Sequence, residues 1–112
     1  MNYMGGKHRQ GPTIAKFVKE IIKPDQIYVE PFCGAIGVAY RVNHTRMILS
    51  DVSESLINMW KFLLENPNFE LPEVITENEY QEVKSKKDPK DWRTAYIGFG
   101  MSFGSKYCGW LS

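Results

Sequence analysis

An α/β fold with parallel strands is the architecture expected of this chain of 112 residues, and three observations carry it. The run Ile27-Tyr28-Val29-Glu30-Pro31-Phe32-Cys33-Gly34-Ala35-Ile36-Gly37 takes a short β-branched and aromatic segment into a glycine-bearing turn. A second apolar segment, Met47-Ile48-Leu49-Ser50, closes on Asp51 about 20 residues later, the separation found in nucleotide-binding βαβ units. Stripes of helical period lie before, between and after the two segments.

The elements follow in order. Between Gly11-Pro12 and Pro24, Ile14, Phe17, Val18, Ile21 and Ile22 fall at i, i+3, i+4, i+7 and i+8, which predicts a helix opened by Pro12 and ended by Pro24. Gln26 to Glu30 reads as a short buried strand, and the glycines after it allow a tight turn into a helix carrying Val38, Ala39 and Val42. Asn43-His44-Thr45 is a loop, and Arg46 to Ser50 is the second strand. Asp51 and Glu54 have capping-box spacing ahead of a stripe of Leu56, Ile57, Trp60, Leu63 and Leu64, which Asn66-Pro67-Asn68 stops.

Thr76 and Glu79 repeat the capping-box spacing before Tyr80 and Val83, predicting a polar helix that ends near Lys87. Asp88 and Pro89 suit the N-cap and first turn of a further helix with Trp92, Ala95, Tyr96 and Phe99 on one face, interrupted by a Gly- and aromatic-rich tail from Gly98 to Trp110. No third strand is evident. Two strands alone make a small parallel sheet with unpaired edges.

Length fits one small domain and is short for a complete α/β enzyme. Apolar residues at 43% and charged residues at 24% argue against disorder and against a coiled coil. The net charge of +1 is unevenly placed: Lys7, Arg9, Lys16, Lys19 and Lys23 face only Glu20 in the opening segment, a pattern open to DNA, to a phosphorylated ligand or to simple solvation. Cys33 and Cys108 are isolated thiols without metal-ligand spacing, so no disulfide framework and no metal site is expected, and a reducing cytoplasm is the expected compartment. No apolar run approaches the ~18 residues of a membrane span.

The chemistry open to the motifs is limited and specific. A glycine-bearing strand-to-helix turn lets backbone approach a ligand and aims helix N–H groups at it, and an acid closing the next strand can accept both hydroxyls of a ribose. Gly34, Gly37 and Asp51 therefore predict an adenosine-containing ligand, although their spacing is not G-x-G-x-x-G. The alternative is that the glycines serve only the turn and that Asp51 caps the following helix.

With the N-terminus added, the chain shows Tyr3-Met4-Gly5-Gly6-Lys7, then Val29-Glu30-Pro31-Phe32-Cys33-Gly34, then Ser50-Asp51 with Leu56-Ile57-Asn58. In this order and at these separations it resembles the Dam-like adenine-specific DNA methyltransferases, most strongly over Tyr3 to Lys61. The resemblance implies a Rossmann-like three-layer α/β fold that binds S-adenosylmethionine, left incomplete at its C-terminus. It implies a cofactor-binding part over residues 1–70 and the start of a helical target-recognition region over 71–112, within one structural unit.

Roles follow by position. Tyr3 and Lys7 match an aromatic and a lysine that lie against the cofactor, the lysine near its methionine carboxylate, a charge-assisted contact. Glu30, Pro31, Phe32 and Gly34 match the glycine-turn motif, with Phe32 beside the cofactor, Gly37 extends the turn, and Asp51 matches the ribose-binding acid. The bland readings stand beside these: Lys7 as one surface lysine of several, Phe32 as core, Glu30 as a cap of the turn, Cys33 as packing. The implied partner of the whole enzyme is DNA.

Two departures from the family's pattern matter. Ile36 stands where many relatives have a second glycine, and a β-branched residue disfavours positive φ, so the flexible point is expected to move to Gly37. The Asp-Pro-Pro-Tyr motif that would hold and polarise a flipped adenine is absent. Asp88-Pro89-Lys90 is the nearest match and reads as a helix cap. No catalytic residue is assigned, and the chain alone is expected to be inactive, either as a non-catalytic nucleotide- or DNA-binding module or as one half of a split enzyme completed by a second chain. In the tail, Lys106 and Tyr107 are the candidates for DNA contact, with packing as the alternative.

Overall fold

The computed structural model describes residues 9–101 together with Tyr107 and Cys108. These contain α1 (Gly11–Ile21), β1 (Tyr28–Glu30), α2 (Ala39–Val42), β2 (Met47–Leu49), α3 (Glu54–Glu65), α4 (Glu77–Lys86) and α5 (Arg93–Gly100). They divide into two compact units, split between Val52 and Ser53, so α3 groups with the later helices.

In the first unit, β1 and β2 pair in parallel with Tyr28 opposite Met47, Val29 opposite Ile48 and Glu30 opposite Leu49. Both strands are shorter than the sequence suggests. Gln26 is drawn into a turn instead, its N–H donating to the Lys23 carbonyl while its side chain accepts the Lys23 N–H. Nor is β1 buried on both faces: Val29 and Ile48 lie side by side and more than half exposed, whereas Tyr28 packs against a core of Ala15, Val38 and Val42.

Helix α1 also meets that core by an unexpected side. Gly11 and Ala15 are buried and Val18 is partly so, while Phe17 and Ile21 are exposed. Small residues win because α2 approaches closely: a methyl group on Gly11 would stand 2.5 Å from the Gly37 carbonyl oxygen. Only one turn of α2 forms, yet it buries Val38, Ala39 and Val42 as the pattern requires, and Asn43 ends it in the left-handed region that asparagine tolerates.

In the second unit, α3 and α5 enclose Leu56, Met59 and Ala95, and α4 and α5 enclose Tyr80, Val83 and Ile97. Thr76 caps α4 as expected, its hydroxyl accepting the Glu79 N–H at 3.1 Å. Asp88 does not begin α5. Its carboxylate accepts the Lys90 N–H and its carbonyl the Asp91 N–H, closing a separate turn, and the helix starts at Arg93. Nor does Gly98 interrupt α5, because the missing side chain leaves room for the Tyr107 ring and the Cys108 sulfur.

Candidate functional site

Parallel pairing brings the carboxyl ends of β1 and β2 together, where ligands bind in α/β sheets. The ladder continues past the strands: the Ser50 N–H donates to the Glu30 carbonyl at 3.0 Å and the Cys33 N–H to the Ser50 carbonyl at 2.9 Å. Ser50 also ties the next step, its hydroxyl donating to the Pro31 carbonyl at 3.1 Å. These bonds fix the direction in which the chain leaves β1.

The turn itself runs Cys33 to Val38. Gly34 is left-handed with φ 51°, and the Ile36 N–H closes back on the Cys33 carbonyl at 2.8 Å. Contrary to expectation, the second left-handed residue is Ile36 itself, with φ 52°, and not Gly37. The closing bond and the buried neighbours Ala35, Gly37 and Val38 impose this geometry on a residue type that disfavours it.

Asp51 is placed by the same framework. Its Oδ2 accepts the Gly34 N–H at 3.0 Å across 17 residues of sequence. It does not cap α3, since Ser53 takes that position with its hydroxyl toward the Leu56 N–H. The acid therefore belongs to the glycine turn, and the capping reading of Asp51 falls.

Glu30 ends β1 half-buried. Burial pushes its carboxyl up, and a hydrogen bond donated by the Tyr28 hydroxyl to Oε2 at 3.0 Å acts in the opposite direction. The Tyr28 phenol is itself pushed up to about 12, by burial first and then by the Glu30 carboxylate, so it stays a donor at physiological pH. The buried Cys33 thiol is raised by burial first, and then by the carboxylates of Asp51 and Glu30.

Phe32 is 81% exposed, so it is not a core residue. Glu30, Pro31, Phe32, Gly34, Gly37 and Asp51 are thus gathered in one unit at the strand ends. Tyr3, Lys7 and Lys106 lie outside the described residues. Tyr107 belongs to the other unit, where its ring stacks on Phe99 with centroids 4.8 Å apart, a packing contact on one of its faces. Among the described residues no cluster of side chains could hold a metal ion, and no helix is long and apolar enough to cross a membrane.

This site coincides with a recognised sequence pattern. The pattern of the D12 class N6 adenine-specific DNA methyltransferases matches residues 3–96. The chain belongs to that family. The match covers both strands, the glycine turn and Asp51, as well as the helices up to the middle of α5. No curated protein and no solved structure gives a match. Membership in this methyltransferase family bears out the resemblance carried by Tyr3–Lys7, Glu30–Gly34 and Asp51.

Two residues beside the site, Tyr28 and Ser50, gain no role from the sequence alone, although Ser50 lies within the matched Ser50-Asp51 motif. Tyr28 is separated from Glu30 by one residue of strand, and period-two alternation alone places both on one face. Ser50 precedes the acid and gives no local signal, because its partner Pro31 is distant in sequence.

Proposed function

We propose that this chain holds S-adenosylmethionine at the β1–α2 turn, as the cofactor-binding part of a Rossmann-like, three-layer enzyme that methylates the exocyclic amine of adenine in DNA. The observation that carries the reading is the Gly34–Asp51 bond, which joins the glycine turn to the acid as one structure. The residues present suit the cofactor: a left-handed glycine allows close approach, Asp51 can accept ribose hydroxyls, and exposed Phe32 offers an aromatic face. The family resemblance would assign Lys7 to the methionine carboxylate and Tyr3 to a contact with the cofactor.

The cofactor supplies a methyl group activated on a sulfonium. What this chain contributes is binding and orientation. Ser50 and the backbone of Cys33 hold the exit from β1, Tyr28 donates to Glu30 at the strand end, and Asp51 holds the turn. The sequence contains no Asp-Pro-Pro-Tyr run, and the Asp88 carboxylate is engaged with the Lys90 N–H in its own turn. We therefore assign the adenine-holding step to a partner segment or a second chain, and this chain alone should bind the cofactor without methylating DNA. A non-catalytic nucleotide- or DNA-binding role is the second reading, and the Gly34–Asp51 bond suits its nucleotide form.

Calorimetric titration of S-adenosylmethionine tests the site: saturable binding that Asp51→Ala weakens is expected, and absence of binding by the wild type would remove it. Incubation with DNA and methyl-labelled cofactor tests the rest. Label incorporated into DNA by this chain alone would overturn the assignment of catalysis elsewhere.

A further inference from the structure

The backbones of Tyr28 and Glu30 belong to the β1–β2 ladder, but the bond between their side chains does not, and it lies at the edge of the candidate site. The tyrosine ring is anchored against the Ala15, Val38 and Val42 core, and its hydroxyl is directed along β1 to Glu30 Oε2 at 3.0 Å. Glu30 makes no ion pair with any described residue, although it is half-buried. Glu30 ends β1 where the turn begins, and Asp51 bonds the Gly34 N–H within that turn, so the two acids belong to one strand end.

Keeping a carboxylate half-desolvated with a neutral hydroxyl as its partner is unfavourable for the protein alone. A cationic hydrogen-bond donor brought by a ligand would offset that cost through a charge-assisted bond. The methyl donor carries such a group in the α-ammonium of its amino-acid end. We propose that Tyr28 is a positioning residue that holds the Glu30 carboxylate toward the turn to receive this ammonium, an inference that rests on the cofactor reading above. Tyr28 touches no ligand itself; Glu30 makes the contact, and Asp51 serves the opposite, nucleoside end.

The test compares two ligands: S-adenosylmethionine, and 5′-methylthioadenosine, which keeps the nucleoside and sulfur but lacks the amino-acid end. Tyr28→Phe should weaken S-adenosylmethionine binding about tenfold, the effect of one hydrogen bond to a charged group, and leave methylthioadenosine binding unchanged. Glu30→Gln should show the same selectivity, and the double variant should bind no worse than Glu30→Gln alone. Equal weakening of both ligands, additive losses, or no loss with Tyr28→Phe would overturn the inference. If Tyr28→Phe fails to show a cooperative melt, Glu30→Gln decides, equal loss of the two ligands counting against the proposal. A wild type that binds neither ligand would remove the cofactor site as a whole, a result distinct from one in which both bind and the variants do not discriminate.

Discussion

The Asp51 carboxylate accepts the N–H of Gly34 at 3.0 Å, so the acid that closes the second strand also fixes the turn that leaves the first. A ribose-binding acid and a phosphate- or methionine-cradling turn are usually described as separate motifs. Here one side chain joins the strand end to the turn, and under the proposed cofactor reading a change at Asp51 should act on ligand and turn together.

The two effects can be separated by substitution. Asp51→Ala removes the acceptor for a buried N–H and should cost about 1–2 kcal/mol of stability as well as cofactor affinity. Asp51→Asn retains an oxygen for Gly34 while losing the charge and one acceptor. It should melt close to wild type yet bind S-adenosylmethionine clearly less tightly. Parallel thermal melts and titrations check this, and an Asn variant as unstable as the Ala variant would mean the carboxylate charge, not its geometry, holds the turn.

Gly11→Ala probes the support beneath the same turn. The added methyl would lie 2.5 Å from the Gly37 carbonyl oxygen and 2.7 Å from Arg41 Nη1, and the Arg41 side chain donates to that same carbonyl. Backbone must shift, at a cost of about 1–3 kcal/mol for overpacking. Alanine favours helix over glycine by up to ~1 kcal/mol in a helix interior, and less at a first position, so the clash wins. Urea midpoints should fall, and an unchanged or higher midpoint would show that α1 can withdraw from α2 freely.

Much of this architecture was legible because it is local. Thr76 with Glu79 marks the start of α4, and Pro12 and Pro24 bracket α1, without reference to anything distant. Asp51 was ambiguous because Asp51-x-x-Glu54 and Ser53-x-x-Leu56 are both plausible helix starts, and a bond to Gly34, far away in sequence, decides between them. The exposed side of α1 misled for a related reason: Phe17 and Ile21 look like core by hydropathy, but the close approach of Gly37 selects Gly11, and it is Ala15 that packs with Val38 and Val42. Glu30 was found by its motif, whereas Tyr28 gains meaning only once the phenol is seen to reach it.

Acid should weaken the second unit through Asp91. Its carboxylate accepts from Arg93 Nη2 at 2.8 Å and from the Arg93 backbone N–H at 2.9 Å, and Arg93 reaches across to Glu79 at 3.3 Å. The hydrogen bonds from Arg93 hold the Asp91 carboxyl below its ordinary 3.8 against the opposing effect of burial. A lowered folded-state pKa contributes stability above the unfolded value that is lost as pH falls through the folded one. Arg93→Gln should therefore be less stable by about 1–2 kcal/mol at neutral pH, with the gap closing below the 3.8 region. Denaturation midpoints from pH 7 down to pH 2 read this directly (roughly the window set by these carboxylates). A gap of constant size at all pH values would assign the role of Arg93 to packing of its stem.

Ile36 sets the last expectation, because a β-branched residue at φ 52° is held against its own preference. Left-handed backbone costs an L-residue about 1–2 kcal/mol and a β-branched one the upper part of that range or more. Glycine removes this strain, at a cost of about 0.5–1 kcal/mol in unfolded-chain entropy and some loss of contact, since the side chain is only partly buried. The net change for Ile36→Gly should be stabilising by about 0.5–1 kcal/mol. Ile36→Val keeps the branch and the strain and should give no gain. Binding gives the second readout: if the cofactor lies against this turn, relieving the strain without moving Gly34 or Asp51 should leave S-adenosylmethionine affinity equal or higher. An Ile36→Gly variant that melts lower than wild type would show that the isoleucine side chain contributes more through its contacts than its backbone strain removes.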